Sequence, residues 1–538
     1  MKPSVFLLSL ASLACCAPSS GNGDPKTASR LEARKEKIEA IGQKVKTSSG
    51  MIRGNGRAPN ATQVSQYLGI PFAYPPVGRR RFAPPEAFKG RDTIDATEYG
   101  HNCPSQSAPA PEGVEPPSLA NFLRFLGQVG DDQQEDCLYL NVWTKPQSGS
   151  KKKPVLVWIY GGGFNTGGIN NTAYNGQHWA DEEDVVFVNF NYRLNIFGFP
   201  GAPNLEQNVG LLDQRLAIEW VRDNIAAFGG DPKQITIFGE SAGAASVDYY
   251  NYAYTKDPII AGSIGESGTA ISFGNKLPST AAENWFEIAE RVGCNSSDNA
   301  QVLKCMRSDK VSMADLITAE NAGLSGLEAV LGLFGPTIDN KTVFSNYTAL
   351  AQEGRFIRKP YMTGSNSYEA GLFILLTSGG NFTQPASFWE TFNQNTFICP
   401  ATTAAEFRAR QDIPAWRYVY NPEFPNQAIP TSMGLAYHTA EILPMFGTSE
   451  RTTKQDSTWQ ERAMGSYMRE AWSAFARNPA SGLDLAGWRR FDRDTASVNQ
   501  LGFDPTDSTT FSVLPSFGTT AEYDEGCGMF PFMGTPNS

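Results

Sequence analysis

The sequence predicts an α/β protein with a large, mostly parallel central sheet flanked by helices. Two buried-type strands, residues 154–160 and 185–190, precede a segment of helical periodicity at 210–227. A third strand follows at 235–238, and small, helix-compatible residues come soon after it. Strands that alternate with helices in this way are typical of a parallel sheet with helices on its faces.

The third strand runs into a Gly-Glu-Ser-Ala-Gly turn at 239–243. A Gly-x-Ser-x-Gly turn between a strand and a helix is a nucleophile elbow, because its glycines allow a turn too tight for larger side chains. We therefore expect Ser241 to be a nucleophile, although an ordinary loop serine is the alternative. The triplet Gly-Glu-Ser recurs at 265–267, but Thr269 stands where the second glycine of an elbow would be.

The histidines limit the choice of a general base. In hydrolases with such an elbow the chain order is nucleophile, acid, histidine. Of the three histidines, His101 and His178 precede Ser241, so His438 is the candidate base. It lies in a small-residue segment, 433–441, that suits a loop presenting an imidazole. A buried structural histidine is the alternative interpretation.

Two carboxylates between the serine and His438 follow strand-like runs. Asp339 comes after residues 332–338, and Glu369 comes after residues 359–368. Either side chain would orient an imidazole and stabilise its charged form. The pattern by itself leaves both residues as candidates for the acid.

Several motifs carry a resemblance to a known family. Residues 228–243 resemble the serine signature of the type-B carboxylesterase/lipase family, which includes the cholinesterases and the yeast lipases, and residues 135–143 resemble its second signature. Further matching pieces run from 69–73 to 472–476, so the resemblance covers nearly all of the mature chain. It implies an α/β-hydrolase fold and the hydrolysis of carboxylic esters.

The resemblance also assigns the acid. In the family the acid is the Glu of an Asn-x-x-Glu-Gly segment, which matches this chain at Glu369 except that Ala370 replaces the glycine. Asp339 stays as the fallback. Ser267 matches a serine that hydrogen-bonds around the acid in the family, so we expect it to support the triad.

A run of three glycines directly follows the strand at 154–160. The family uses the second and third of these, with the residue after the nucleophile, as an oxyanion hole. The resemblance therefore implies that Gly162, Gly163 and Ala242 bind the oxyanion.

The segment between Cys103 and Cys137 contains an apolar stripe at helical spacing, formed by Leu119, Phe122, Leu123 and Leu126. In the family these two cysteines pair, and the enclosed loop walls the active-site gorge or, in lipases, forms a movable lid. We interpret the stripe as core packing, with a lipid-sensing lid as the alternative. Choline esters are not expected substrates, because the loop lacks the tryptophan with which cholinesterases bind a quaternary ammonium.

Four further cysteines lie after Cys137, and we expect them to form two more disulfides. Cys294 and Cys305 match a family disulfide, and Cys399 with Cys527 would complete the set, although free thiols are the alternative for the last two. The cysteine spacings do not resemble a zinc site and no histidine-rich cluster exists. We expect neither a metal nor an organic cofactor.

Residues 1–17 have Lys2, an apolar run at 5–14 and small residues near Ala17, which indicates a secretory signal peptide. A lipid-modified cysteine is the alternative. Residues 18–48 form a polar N-terminal extension whose mixed-charge run at 30–39 suits a solvated helix. Because no linker-like composition shift follows, we expect residues 49–538 to be a single α/β-hydrolase domain.

Six Asn-x-Ser/Thr sites favour a secreted, extracellular glycoprotein, at Asn60, Asn170, Asn295, Asn340, Asn346 and Asn381. No second apolar run is long enough for a stable membrane anchor, and a net charge of −10 argues against nucleic acid as a partner. The favoured hypothesis is a carboxylesterase that forms an acyl-enzyme on Ser241 with a small-molecule or lipid ester. The alternatives are a lipase and a non-catalytic adhesion protein of the same fold.

Overall fold

The computed structural model describes residues 42–56, 63–107, 112–146, 150–378, 383–503 and 511–527. The predicted signal peptide and the mixed-charge run at 30–39 lie outside these residues. Within the predicted polar extension, however, Lys44–Thr47 is a strand that pairs antiparallel with Gly50–Arg53. The folded part of the chain therefore begins before the predicted boundary at residue 49.

The described residues contain two sheets. Their strands are β1 (Lys44–Thr47), β2 (Gly50–Arg53), β3 (Ser65–Pro71), β4 (Thr93–Asp95), β5 (Tyr139–Thr144), β6 (Lys153–Ile159), β7 (Val186–Phe190), β8 (Gly230–Glu240), β9 (Gly262–Glu266), β10 (Tyr361–Asn366), β11 (Ala415–Tyr420), β12 (Val498–Leu501) and β13 (Ser516–Gly518). A small sheet has the order β1-β2-β4, and the ten-stranded sheet has the order β13-β12-β11-β10-β9-β8-β6-β7-β5-β3.

Helices flank the large sheet along the chain. They are α1 (Pro117–Leu126), α2 (Gln177–Glu183), α3 (Asn195–Gly198), α4 (Val209–Asn224), α5 (Ala242–Ala253), α6 (Pro278–Arg291), α7 (Asn299–Met306), α8 (Met313–Asn321), α9 (Gly326–Leu331), α10 (Tyr347–Gln352), α11 (Ala370–Ser378), α12 (Ala386–Asn393), α13 (Cys399–Ala409), α14 (Ile442–Phe446), α15 (Ser449–Thr453), α16 (Trp459–Arg477), α17 (Gly482–Leu485) and α18 (Thr520–Tyr523).

The large sheet is parallel from β7 through β6, β8, β9, β10 and β11 to β12. Only its outer strands β3, β5 and β13 pair antiparallel. The predicted mostly parallel sheet is therefore confirmed. Because the carboxyl ends of parallel strands share one edge of a sheet, the loops that follow β6, β8, β9 and β10 meet at that edge.

The local sequence explains why these strands form at the centre. Every residue of β6 and of β7 is buried, as expected of strands that carry helices on both faces. The helical periodicity at 210–227 forms α4 and then a short 3₁₀ turn at Ile225–Phe228. The strand expected before the serine is the end of β8, so this succession of strand and helix is confirmed.

The strand-like run at 332–338 was interpreted wrongly. In this run only Thr337 forms a bridge, an isolated one with Lys276. Pro336 has no amide hydrogen to give to a neighbouring strand, and Gly332 ends α9 with a positive φ of 74°. The segment is therefore a connection rather than a strand of the sheet.

Three disulfides cross-link the chain, joining Cys103 to Cys137, Cys294 to Cys305 and Cys399 to Cys527. Among the sequons, Asn295, Asn340 and Asn346 are exposed and Asn170 is half-buried, whereas Asn60 and Asn381 lie outside the described residues. Within the described ranges, no helix combines the length and the apolar composition that crossing a bilayer requires.

Candidate active site

Ser241 lies in a sharp turn between β8 and α5, with φ 56° and ψ −122°. Two glycines permit the turn, because a Cβ at Gly239 or at Gly243 would lie 2.5 or 2.0 Å from the carbonyl oxygen of Ile159. The amide of Ser241 donates to the carbonyl of Glu266, 2.8 Å away on β9. Close packing against the neighbouring strands thus holds the serine in a conformation that L-residues rarely adopt.

His438 and Glu369 are in direct contact. Nδ1 of His438 lies 2.7 Å from Oε2 of Glu369, and both side chains are buried. The other oxygen of Glu369 accepts a hydrogen bond of 2.6 Å from the amide of Asn366, at the end of β10. The carboxylate is therefore held from the strand side and can orient the imidazole.

The second nitrogen of the ring faces the elbow. Nε2 of His438 lies 3.1 Å from Oε1 of Glu240, the residue directly before Ser241. In the described structure no hydrogen bond joins the hydroxyl of Ser241 to His438, and the contact of the ring with the elbow is made through Glu240. The sequence interpretation missed Glu240, although a charged residue inside an otherwise apolar strand end is a recognisable signal.

Asp339, the fallback acid, is occupied elsewhere. Its Oδ1 accepts from the amides of Lys341, Thr342 and Val343 at 2.8 to 2.9 Å, and its Oδ2 accepts from the hydroxyl of Thr342 at 2.7 Å. These bonds fix a turn of its own loop. Of the two candidate acids, the structure brings Glu369 to the imidazole and leaves Asp339 in this turn.

Ser267 does not make the contact expected of it. Its hydroxyl is buried and has no hydrogen-bond partner among the described residues. The recorded partners of the Glu369 oxygens are instead His438 and the amide of Asn366. The backbone of Ser267 has a φ of 55° and its amide donates to Gly364, so the residue shapes the end of β9.

The glycines after β6 form a turn that L-residues would resist. Gly162 and Gly163 have φ values of 110° and 62°, and a Cβ on Gly162 would lie 2.3 Å from the carbonyl oxygen of Thr166. Ala242 is the first residue of α5, where amides have no partner within the helix. Within the described part of the chain, none of these three amides donates to a protein acceptor. Their hydrogens are therefore available to an external oxygen.

Phenylalanine rings form one wall of the site. The ring centroids of Phe373 and Phe397 lie 5.1 and 4.9 Å from that of His438, and the two phenylalanines lie 5.8 Å from each other. Phe373 is on α11, and Phe397 is on a π-helical turn at Gln394–Ile398. An apolar wall against the imidazole excludes water and provides a surface for an apolar part of a substrate.

Three further glutamates are buried near this wall. Burial raises the pKa of Glu240 and of Glu266 well above the ordinary value, and the neighbouring carboxylate charges act in the same direction. Burial also raises the pKa of Glu441 to about 8, although a hydrogen bond from Asn366 partly opposes the shift. These carboxyl groups therefore tend to keep their protons at neutral pH.

The other two histidines are partly exposed, and each contacts a carboxylate. Nδ1 of His101 lies 2.7 Å from Asp132, and Nδ1 of His178 lies 2.7 Å from Glu182. Over the described ranges, no three His, Cys, Asp or Glu side chains form a group able to hold a metal ion. The groups at and near the turn of Ser241 are thus a serine hydroxyl, an imidazole, a carboxylate and backbone amides that have no acceptor among the described residues.

Comparison with known proteins agrees with this chemistry. The sequence model of the carboxylesterase family matches residues 42–393. A chlorogenic acid esterase of Aspergillus niger is 37% identical over 81% of this chain and 83% of its own length. Secreted lipase 5 of Gibberella zeae is 34% identical over 83% of this chain and 87% of its own length. A cholinesterase of Mus musculus is 36% identical over 62% of this chain and 55% of its own.

The family model matches most of the chain. The relatives from Aspergillus niger and Gibberella zeae, which align with this chain over most of their own length, are named as an esterase and a lipase. The ten-stranded mixed sheet is the α/β-hydrolase arrangement that the motifs predicted. This chain therefore belongs to the carboxylesterase family and is a carboxylic ester hydrolase.

Proposed function

We propose that the protein is a secreted serine esterase that cleaves its substrate through an acyl-enzyme on Ser241. The observation that carries the proposal is the 2.7 Å contact between Glu369 and His438, made beside the elbow of Ser241. Ser241, Glu369 and His438 lie in the connections that follow β8, β10 and β11, at the carboxyl edge of the sheet, where α/β proteins bind ligands. An ordinary structural histidine would not require a strained serine next to it.

The reaction begins when Nε2 of His438 takes the proton of the Ser241 hydroxyl as its oxygen attacks the ester carbonyl. A short movement of the ring from Glu240 to the serine makes this bond, and such contacts are often loose before substrate binds. Glu369 keeps the proton of Nδ1 in place and stabilises the imidazolium. The same proton then passes to the departing alcohol.

The amides of Gly162, Gly163 and Ala242 would receive the oxygen that becomes negative in the tetrahedral state. A donor of this kind is worth about 3 kcal/mol in the transition state. Water then attacks the acyl-enzyme with His438 as the base, the acid is released, and the serine recovers its proton. No metal or organic cofactor enters this scheme.

An extracellular location is part of the proposal. The signal-peptide pattern at 1–17, six sequons and three disulfides are features of chains that fold in the secretory pathway. The relative from Gibberella zeae is itself named a secreted lipase. Secretion of the full-length chain with loss of residues 1–17, detected by intact mass, would test this point.

Esters of small or medium size are the proposed substrates. In the Cys103–Cys137 segment, Leu119 and Phe122 of α1 are buried, and the ring of Phe122 packs on Tyr437 at 5.7 Å. This supports core packing over a mobile lid. A lipase is the second candidate, because Met433 and Leu435, close to His438 in sequence, are 71% and 40% exposed and could contact an oil surface.

Two assays separate these candidates and test the site. Rates on a soluble short-chain ester are compared with rates on an emulsified triglyceride, and a rate jump at the oil interface would favour the lipase. Independently, a fluorophosphonate should label the wild type and the Ser267→Ala control but not Ser241→Ala. Labelling that persists in Ser241→Ala would overturn the proposed nucleophile.

A further inference from the structure

The scheme above leaves the side chain of Glu266 without a role. Glu240 and Glu266 are directly paired in the parallel strands β8 and β9. Neighbouring strands lie about 4.8 Å apart and paired residues point to the same face, so the two side chains enter the same interior space. Glu369 and Glu441 are also fully buried, and Asn366 bridges these two, since its amide donates to Glu369 and its side chain to Glu441.

These four carboxyl groups have little positive charge to balance them. In the described structure no Lys or Arg pairs with any of them, and the imidazole of His438 is the one basic group in contact with the cluster. The other polar groups that face Glu266 are Tyr418 of β11 and Trp472 of α16. Because a buried carboxylate without a counter-charge is costly, most of the cluster must be protonated.

The hydrogen bonding of Glu266 differs between its two oxygens. The indole Nε1 of Trp472 donates to Oε1 of Glu266 at 2.6 Å, so that oxygen is an acceptor. The other oxygen, Oε2, is buried and accepts no hydrogen bond from the described residues. No donor in the described residues is therefore placed to stabilise a negative charge on Oε2, so a neutral carboxyl group costs less than an ionised one at this position.

We propose that Glu266 is a positioning residue that stays uncharged in the active enzyme and fixes the back of the elbow. Its carbonyl accepts the amide of Ser241 at 2.8 Å, and its carboxyl group ties the same residue to α16 through Trp472. The inference rests on the proposed role of Ser241. Ionisation of Glu266 would place negative charge behind the developing oxyanion and slow its formation.

The test uses Glu266→Gln, which has nearly the same shape, keeps an acceptor for Trp472 and cannot ionise. We expect its kcat/KM at neutral pH to stay within about threefold of wild type, with an alkaline limb that moves up by roughly half a pH unit or more. Glu266→Ala removes the acceptor for Trp472, so we expect its kcat/KM to fall by about tenfold or more at every pH. The infrared carbonyl band of a protonated carboxylic acid should lose intensity in Glu266→Gln at neutral pH.

Glu320 on α8 provides the matched control. It is buried, and burial raises its pKa to about 8, but it lies in another part of the fold. Glu320→Gln should also lower the carboxylic-acid band while leaving the pH profile of kcat/KM unchanged.

Two results would overturn the inference. One is a pH profile of Glu266→Gln that superimposes on that of the wild type; the other is a loss of more than about a hundredfold at neutral pH, which would mean that the negative charge is needed. If Glu266→Gln does not fold, Trp472→Phe decides, because it removes the donor to Oε1 of Glu266 and so raises the pKa of that carboxyl group. The alkaline limb of kcat/KM must then move up, and an unchanged limb would overturn the inference. Fluorophosphonate labelling of Ser241 in the wild type distinguishes failure of this inference from failure of the proposed function. If Ser241 is not labelled, the assignment of Ser241 as the nucleophile is rejected, and the role of Glu266 falls with it.

Discussion

Oε1 of Glu240 lies 3.1 Å from Nε2 of His438, on the opposite side of the ring from Glu369. Glu240 directly precedes Ser241, so the ring contacts the elbow while its reactive nitrogen faces a glutamate. Glu240 keeps its proton more readily than an exposed glutamate because burial raises its pKa. We therefore expect the ring to leave this contact for the hydroxyl of Ser241 when substrate binds.

Replacement of the nucleophile is the most direct prediction. Ser241→Ala removes the attacking oxygen, so we expect kcat to fall by roughly six orders of magnitude, with the remaining rate due to binding and the oxyanion donors. The measurement is kcat on a soluble ester, with Ser267→Ala as the control because it follows the same Gly-Glu pair. Retention of more than about 1% of activity in Ser241→Ala would reject the assignment.

The two candidate acids are separated by a pair of amide variants. Glu369→Gln keeps the shape but favours the wrong tautomer of His438, so kcat should fall by about 10⁴ with little change in stability. Asp339→Asn should instead lower the melting temperature, because its carboxylate accepts several amides of its own turn, and should leave kcat within about threefold. A reversed pattern would make Asp339 the acid.

The oxyanion donors are tested by a change at Gly162. A Cβ there meets the carbonyl of Thr166 at 2.3 Å and forces the turn to shift, so Gly162→Ala should lower kcat by roughly 10² to 10³. Gly335→Ala is the control, because nothing lies within 4 Å of its added Cβ. Equal kcat values for the two variants would mean that the amide of Gly162 does not bind the oxyanion.

The sequence predicted what depends on neighbours along the chain. The strands β6, β7 and β8, the elbow and the helix α1 all have local apolar periodicity, and each is present. Glu240 and Glu266 end two different strands with the same Gly-Glu-Ser triplet, yet no local pattern says that these strands are adjacent and in register. The sequence also does not show whether a glutamate is buried or exposed. The cluster of buried glutamates could therefore not be predicted.

The choice of the acid shows the same limit. Asp339 and Glu369 both follow apolar runs, and only the family resemblance preferred Glu369. The two runs differ in their strand pairing. The run before Glu369 forms β10, which pairs with β9 and β11, whereas the run before Asp339 makes a single bridge. Strand pairing is a property of distant segments, which a single sequence does not contain.

The interpretation of α1 as core rather than lid predicts a stability effect. Phe122→Ala removes a fully buried ring that packs on Tyr437 and Phe125, so we expect a loss of roughly 3 to 5 kcal/mol and a lower melting temperature. Arg124→Ala, on the exposed side of the same helix, should change little. A Phe122→Ala variant with normal stability and an altered ratio of emulsified to soluble rates would instead indicate a lid.

Glu320 predicts how stability depends on pH. Burial raises the pKa of this group from 4.5 to about 8, so the folded state binds more protons than the unfolded state between these values. The stability that the folded protein gains from binding this proton is fully present below pH 4.5 and is lost as the pH rises through about 8. Glu320→Gln cannot ionise, and its stability relative to wild type should therefore be nearly unchanged near pH 4.5 and higher by about 4 kcal/mol at pH 8. Thermal unfolding at both pH values, with exposed Glu353→Gln as the control, measures this difference, and equal shifts at the two pH values would show that Glu320 is ionised in the folded protein.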